Sequence, residues 1–205
     1  MQLRFKTNYT SEEYVSREAW REATLACCPL HPSGGCSFAR HGTYERVKPR
    51  GTQVPRWYCP EGHCTFSLLA DCFAARLSGS LHKVEEVVVA VEQARTREVA
   101  AEALREDIEL PGALRWIRRR LKPVQAALTL LLGLFPDLLS GCQPTLSDFR
   151  QGFGVEFVLP RLREIAEGQL AQVPPPLGFR PPLPRGGEPR KGHPVSYTHL
   201  RAHET

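Results

Sequence analysis

The sequence predicts a small β unit followed by an all-α domain, and three observations carry that division. Two cysteine–histidine steps, Cys28-Pro29-Leu30-His31 and Cys59-Pro60-Glu61-Gly62-His63, bracket a stretch rich in strand formers. After Gly79-Ser80 the apolar spacing becomes helical, with Val84, Val87, Val88 and Val91 at i, i+3, i+4 and i+7. Beyond Val173 the text PPPLGFRPPLPRGGEPRKGHP is Pro-rich, the composition of an extended or disordered tail.

The elements follow in order. Thr10-Ser11-Glu12-Glu13 reads as a capping box, and a helix is expected from about Glu12 to Leu25, packing through Val15, Ala19 and Trp20. Residues 27–79 form the β unit. Phe38, Tyr44 and Val47 lie in one strand run, Val54, Trp57 and Tyr58 in the next, and 65–69 supplies a third, with a turn cluster at 48–52. Trp57 and Phe66 are its expected core. Helices are then predicted over about 81–94, capped by Ser80, and about 97–105, capped by Thr96, with Val99, Ala100, Ala103 and Leu104 inward. A third is expected to open at Pro111, bury Leu114, Ile117 and Leu121, and kink or end at Pro123. Further helices are expected at 124–134, 145–152 and 156–172. The resulting division is an N-terminal helix (1–26), a β unit (27–79), a three-helix unit (80–122), C-terminal helices (123–173) and a Pro-rich tail (174–194).

The last eleven residues, VSYTHLRAHET (195–205), resemble one reading frame of the transposase-end adapter used in sequencing libraries. They are set aside as an artefact, and His199 and His203 go with them.

Charge and cysteine usage narrow the class. Net charge is +5, but three of those charges fall in residues 180–205, so only local clustering bears on nucleic acid. Seven unevenly spaced cysteines do not make a disulfide framework. The first residues lack an apolar signal region. The longest apolar run, Val124–Phe135, has twelve residues, short of the roughly twenty that cross a bilayer. A cytoplasmic protein with no membrane contact is expected.

The two steps have the grammar of metal knuckles. A tight turn after Cys-Pro aims backbone N–H groups at the thiolate and favours the charged form that binds metal. The preferred ligand set is Cys28, His31, Cys59 and His63, with Cys36 able to displace His31 and Cys64 able to displace His63. Four protein ligands close a tetrahedral shell, which makes the expected Zn²⁺ structural and the whole a zinc ribbon. Cys72 and Cys142 read as ordinary cysteines. A catalytic zinc deaminase would need His-x-Glu ahead of Pro-Cys-x-x-Cys, and neither part is present, so no enzyme is expected.

The three-helix unit has helix-turn-helix order. Its last helix carries Arg115, Arg118, Arg119, Arg120 and Lys122 with no acid between Glu109 and Asp137. Such a face neutralises phosphates and offers guanidinium forks to guanine edges; the plainer reading is a solvated charge run on a small bundle. The segment 106–110 makes the turn longer than the usual three or four residues. Arg40, Arg46 and Arg56 in the strands are secondary candidates for backbone contacts.

CPLH, FARHGTYERV and RWYCPEGHCTFS together resemble the zinc-ribbon head of insertion-sequence transposases and related transposon-associated proteins, and LRWIRRRL (114–121) is similar to the helix that follows such ribbons. The resemblance covers about 28–121. Cys28 and His31 match its first ligand pair, Arg40, Gly42, Tyr44 and Arg46 its strand, Arg56 and Cys59 the start of its third motif, and Phe66 and Ser67 the end. The chain departs in His31 for a cysteine, in the extra Pro32–Cys36 loop, and in a fourth ligand one residue late at His63. The resemblance implies binding of double-stranded DNA, with a transposase or another protein as a further partner. Carboxylates after residue 121 sit in helical text without the alternating strands of a nuclease core, so an accessory or regulatory protein lacking a nuclease domain is expected. No small-molecule substrate is expected. The alternative is a protein–protein interaction module built on the ribbon and the Pro-rich tail. In sum, the sequence predicts a small β zinc ribbon followed by an all-α domain containing a helix-turn-helix.

Overall fold

The computed structural model describes residues 1–108 and 112–179. The expected helix start at Pro111, the Pro-rich text from residue 180 and the string 195–205 lie outside the described residues.

The three expected strands form β2 (Ala39–Glu45), β3 (Gln53–Cys59) and β4 (Cys64–Ala70), an antiparallel meander. A strand the sequence reading did not expect, β1 (Gln2–Phe5), pairs in parallel with β4 and completes the order β1-β4-β3-β2. Gln2 and Arg4 alternate with Leu3 and Phe5, but a run of four residues is a weak strand signal on its own. What holds them is the ladder and a fork from Arg4 to Asp71, with Nε–Oδ1 2.7 Å and Nη2–Oδ2 3.1 Å.

Helix α1 (Ser11–Ser16) begins with the expected capping box: Glu13 N donates to Thr10 Oγ1, and Thr10 N donates to a Glu13 carboxylate oxygen. It stops far short of Leu25; a single 3₁₀ turn, Ala19–Arg21, follows. The side chain that anchors it is Tyr14, fully buried, edge-on to Phe73 and hydrogen-bonded to the Gln53 carbonyl at 3.0 Å.

After the sheet come α2 (Leu81–Gln93), α3 (Arg97–Ala103), α4 (Ala113–Leu134), α5 (Leu146–Phe153) and α6 (Leu159–Ile165). Ser80, Thr96 and Thr145 cap α2, α3 and α5 through their hydroxyls. The break expected at Pro123 is absent, and α4 runs through it for 22 residues. Pro123 removes one helix donor, but Leu121, Val124, Ala127, Leu128 and Leu131 keep one buried stripe across it. Their burial outweighs the lost bond. Three inward assignments also change. Leu114 is 44% exposed and Val99 55%, and Ala103 is exposed as well, while Trp116 turns inward with Ile117, packing on Val87 and Ala100.

The main core joins what the sequence divided. Val54 and Leu69 on one face of the sheet pack with Tyr14, Phe73, Leu81, Val84, Val88, Leu128, Phe149 and Leu162. The opposite face buries a smaller cluster, Ala23, Cys28, Trp57, Cys59, Phe66 and Leu68. The expected tail starts later than Pro174, because Leu177 and Phe179 are part of the main core. No helix among the described residues is long and apolar enough to cross a membrane.

Candidate metal centre and basic surfaces

The smaller cluster ends in a group of thiols. Cys28, His31, Cys36 and Cys59 bring their ligand atoms within 4.8 Å of one another. His31 Nδ1 lies 3.5 Å from Cys28 Sγ and 3.4 Å from Cys59 Sγ. The first knuckle is closed by His31 N donating to the Cys28 carbonyl at 3.1 Å. In the second, Gly62 N donates to Cys59 Sγ at 3.3 Å, the amide-to-sulfur bond that the Cys-Pro step foretells. A Cβ on Gly62 would stand 2.5 Å from Leu30 Cδ1, so the exposed Leu30 side chain would have to swing aside for a larger residue.

The fourth position corrects the preferred ligand set. Cys36 fills it, joining His31 rather than displacing it, and His63 is not in the group. Gly34 and Gly35, both at φ 85°, turn the loop back so that Cys36 returns to the site. His63 is the exposed left-handed residue of the β3–β4 turn, at φ 45°, with its N–H bonded to the Pro60 carbonyl. Cys64 has already entered β4 and its sulfur lies 3.9 Å from the Thr65 carbonyl. One loop thus supplies three of the candidate ligands and the other supplies one. The glycine pair ahead of Cys36 was the signal for this, masked by the expectation of two ligands per knuckle.

Two thiols of the group are shifted in opposite directions. Burial pushes the Cys28 thiol up, but hydrogen bonds from His31 and from the Leu30 and His31 amides bring it down to about 7. Cys36 is pushed up to about 11, first by burial and then by the neighbouring sulfurs of Cys28 and Cys59. One thiolate forms readily and suppresses the next; a bound cation removes that conflict.

Glu61, the acid in the second knuckle, accepts from Ser37 N at 3.1 and 3.2 Å. Those bonds tie the Cys36 loop to the Cys59 turn, and backbone donors hold its carboxyl below the usual range.

The basic candidates separate into three kinds. Arg115, Arg118, Arg119 and Lys122 are exposed on α4 and, with Leu114 and Pro123, line a shallow depression of about 640 Å³. Arg120 is turned away from them, stacked 3.6 Å over Trp116 and bonded to Ser78 Oγ at 3.3 Å. Arg40 is exposed beside Trp57 and donates to the Trp20 carbonyl at 3.2 Å. Arg46, expected as a backbone contact, is instead spent internally. It lies over Phe73 and donates to the carbonyls of Ala74 and Leu77 at 3.1 and 2.7 Å, so the chain between β4 and α2 hangs on it. Arg56 is half-buried over Tyr44.

Helices α2, α3 and α4 pack on one another. The connection from α3 to α4 holds a 3₁₀ turn, Arg105–Asp107, and the long α4 continues into the main core. No protein-family profile, curated protein or solved structure matched the chain.

Proposed function

We propose that the chain is a double-stranded DNA-binding protein whose small sheet is clamped by a structural zinc ion, with α4 as its reading or docking helix. The observation that carries the DNA reading is the exposed face of Arg115, Arg118, Arg119 and Lys122, whose depression no carboxylate lines among the described residues. A cation row on a rigid helix, anchored from behind by Trp116 and Ile117, presents its charge without an ion-pair partner among the described residues. The likeness of residues 28–121 to transposase heads supports the same reading and suggests an accessory or regulatory role.

Zinc is favoured by donor chemistry and scale. Three thiols and one imidazole are a closed structural set. A tetrahedron with zinc–sulfur and zinc–nitrogen bonds of about 2.3 and 2.05 Å has a sulfur–nitrogen edge of about 3.6 Å, close to the 3.4 and 3.5 Å found. Four protein ligands leave no position for a substrate water, so the ion's work would be to hold the Cys28 and Cys59 loops together.

Duplex binding measured against salt tests the proposal. The apparent association constant is expected to fall steeply, with a log–log slope of about −0.9 per phosphate neutralised. The exposed Leu114 at the N-terminal end of the basic face favours one other reading, a protein-docking helix. Weak binding with little dependence on salt would select it and reject the DNA reading.

A further inference from the structure

The face of the sheet opposite Trp57 and Phe66 carries a polar constellation that shares no residue with the thiol group or with the α4 depression. Gln2 pairs with Ser67, and Ser67 pairs with Arg56. Directly paired residues point to one face, so β1, β4 and β3 set these three side chains side by side. With Tyr44, Thr65 and Arg76 they line a hollow of about 420 Å³.

Two atoms in this row are left over. Arg56 Nε and Gln2 Oε1 are shielded from solvent and have no hydrogen-bond partner among the described residues. A shielded guanidinium donor without an acceptor is costly, and a polar hollow is where an acceptor can reach it. Arg76 adds a second sign. It is a non-glycine residue held at φ 57°, a region that side chains other than glycine seldom adopt, and it lines the same hollow. Among the described residues no carboxylate lines the hollow, so two guanidinium groups and the hydroxyls of Tyr44, Thr65 and Ser67 meet there without a described counter-charge.

We propose that this hollow is an oxyanion site that takes a phosphate group. Arg56 Nε–H and the Arg76 guanidinium donate to its oxygens, the hydroxyls complete the shell, and a turned Gln2 amide presents its NH₂ in place of the stranded oxygen. A phosphate can come from a nucleic-acid backbone or from a small phosphorylated molecule. The site stands whether or not α4 binds DNA.

The test uses the full zinc-loaded chain, inorganic phosphate at constant ionic strength, and the arginine side-chain Nε–H signals in nitrogen-edited NMR. Phosphate is expected to move the Arg56 and Arg76 signals saturably, while equivalent chloride leaves them in place. Arg56→Gln is expected to weaken phosphate binding about tenfold, the scale of one charge-assisted bond. Arg76→Gly removes the second cation and relieves its backbone, so it keeps the fold and weakens phosphate similarly. No saturable movement, or wild-type affinity in both variants, overturns the proposal and leaves a hollow that holds water. Once phosphate binding is established, a short duplex in its place identifies the source. Movement of the same signals assigns the site to a nucleic-acid backbone, and unmoved signals assign it to a small phosphorylated ligand.

Discussion

Cys36 is the side chain on which the candidate metal centre turns. It arrives through two glycines at positive φ, and its thiol is the one that the neighbouring sulfurs push up. Cys36→Ser is expected to lose tight zinc binding, whereas His63→Ala keeps one ion per chain, because only Cys36 stands within the group. Elemental analysis after dialysis against a weak chelator reads both, and equal zinc in the two variants would show the assignment to be wrong. Legibility in the sequence was uneven at this scale. Cys28, His31 and Cys59 were readable because each lies in a Cys-Pro step. Cys36 was readable only as an alternative to His31, because its place beside it depends on loop closure rather than on a local spacing. Arg46 misled for a related reason: nothing in its neighbours shows that the carbonyls of Ala74 and Leu77, far along the chain, are aimed at it.

At the scale of elements, α4 joins two tasks along one rod. Its first half carries the exposed cations and its second half fills the core with Val124, Leu128 and Leu131. Substituting Arg118 and Arg119 together by Ala should weaken duplex binding about equally across sequences if both contact phosphates, and should flatten the salt slope by roughly two. Thermal stability should stay within about 0.5 kcal/mol of wild type, since both side chains are exposed surface sites. A large fall in melting temperature alongside lost binding would mean these residues hold the fold instead. The periodic pattern made α2 legible, and hydroxyl caps located Ser80 and Thr96, while the Thr145 cap was not anticipated. It erred at Pro123 and at Leu114. A local breaker rule cannot see a buried stripe that continues past the proline, and amphipathic spacing did not anticipate that Trp116 would take the inward place.

For the whole molecule, the sheet rests on two supports of different kinds. The thiol group and the small cluster hold one face, while Val54 and Leu69 are buried against the helices on the other. Chelation is therefore expected to lower the melting temperature and release the Cys28 and Cys36 loops, yet leave most helical circular dichroism in place. Complete loss of helix on metal removal would refute that two-support description. Buried charge closes the assembly elsewhere. Arg163, 1% exposed, donates to the carbonyls of Asp71, Phe73 and Leu177 at 2.8 Å each and also to that of Pro176. Its low-dielectric surroundings push the guanidinium down to about 10. Arg163→Met should cost at least about 3 kcal/mol in denaturant unfolding, because several shielded carbonyls lose their donor at once. A change under 1 kcal/mol would imply that other groups replace it.

That arginine also dictates where the polypeptide can be shortened. A scissor placed at residue 173, where proline-rich text begins, would strip off Leu177 and Phe179 together with two of the carbonyls it grips. Engineers seeking a minimal soluble version should cut after Phe179, and a product ending at Val173 should precipitate on expression.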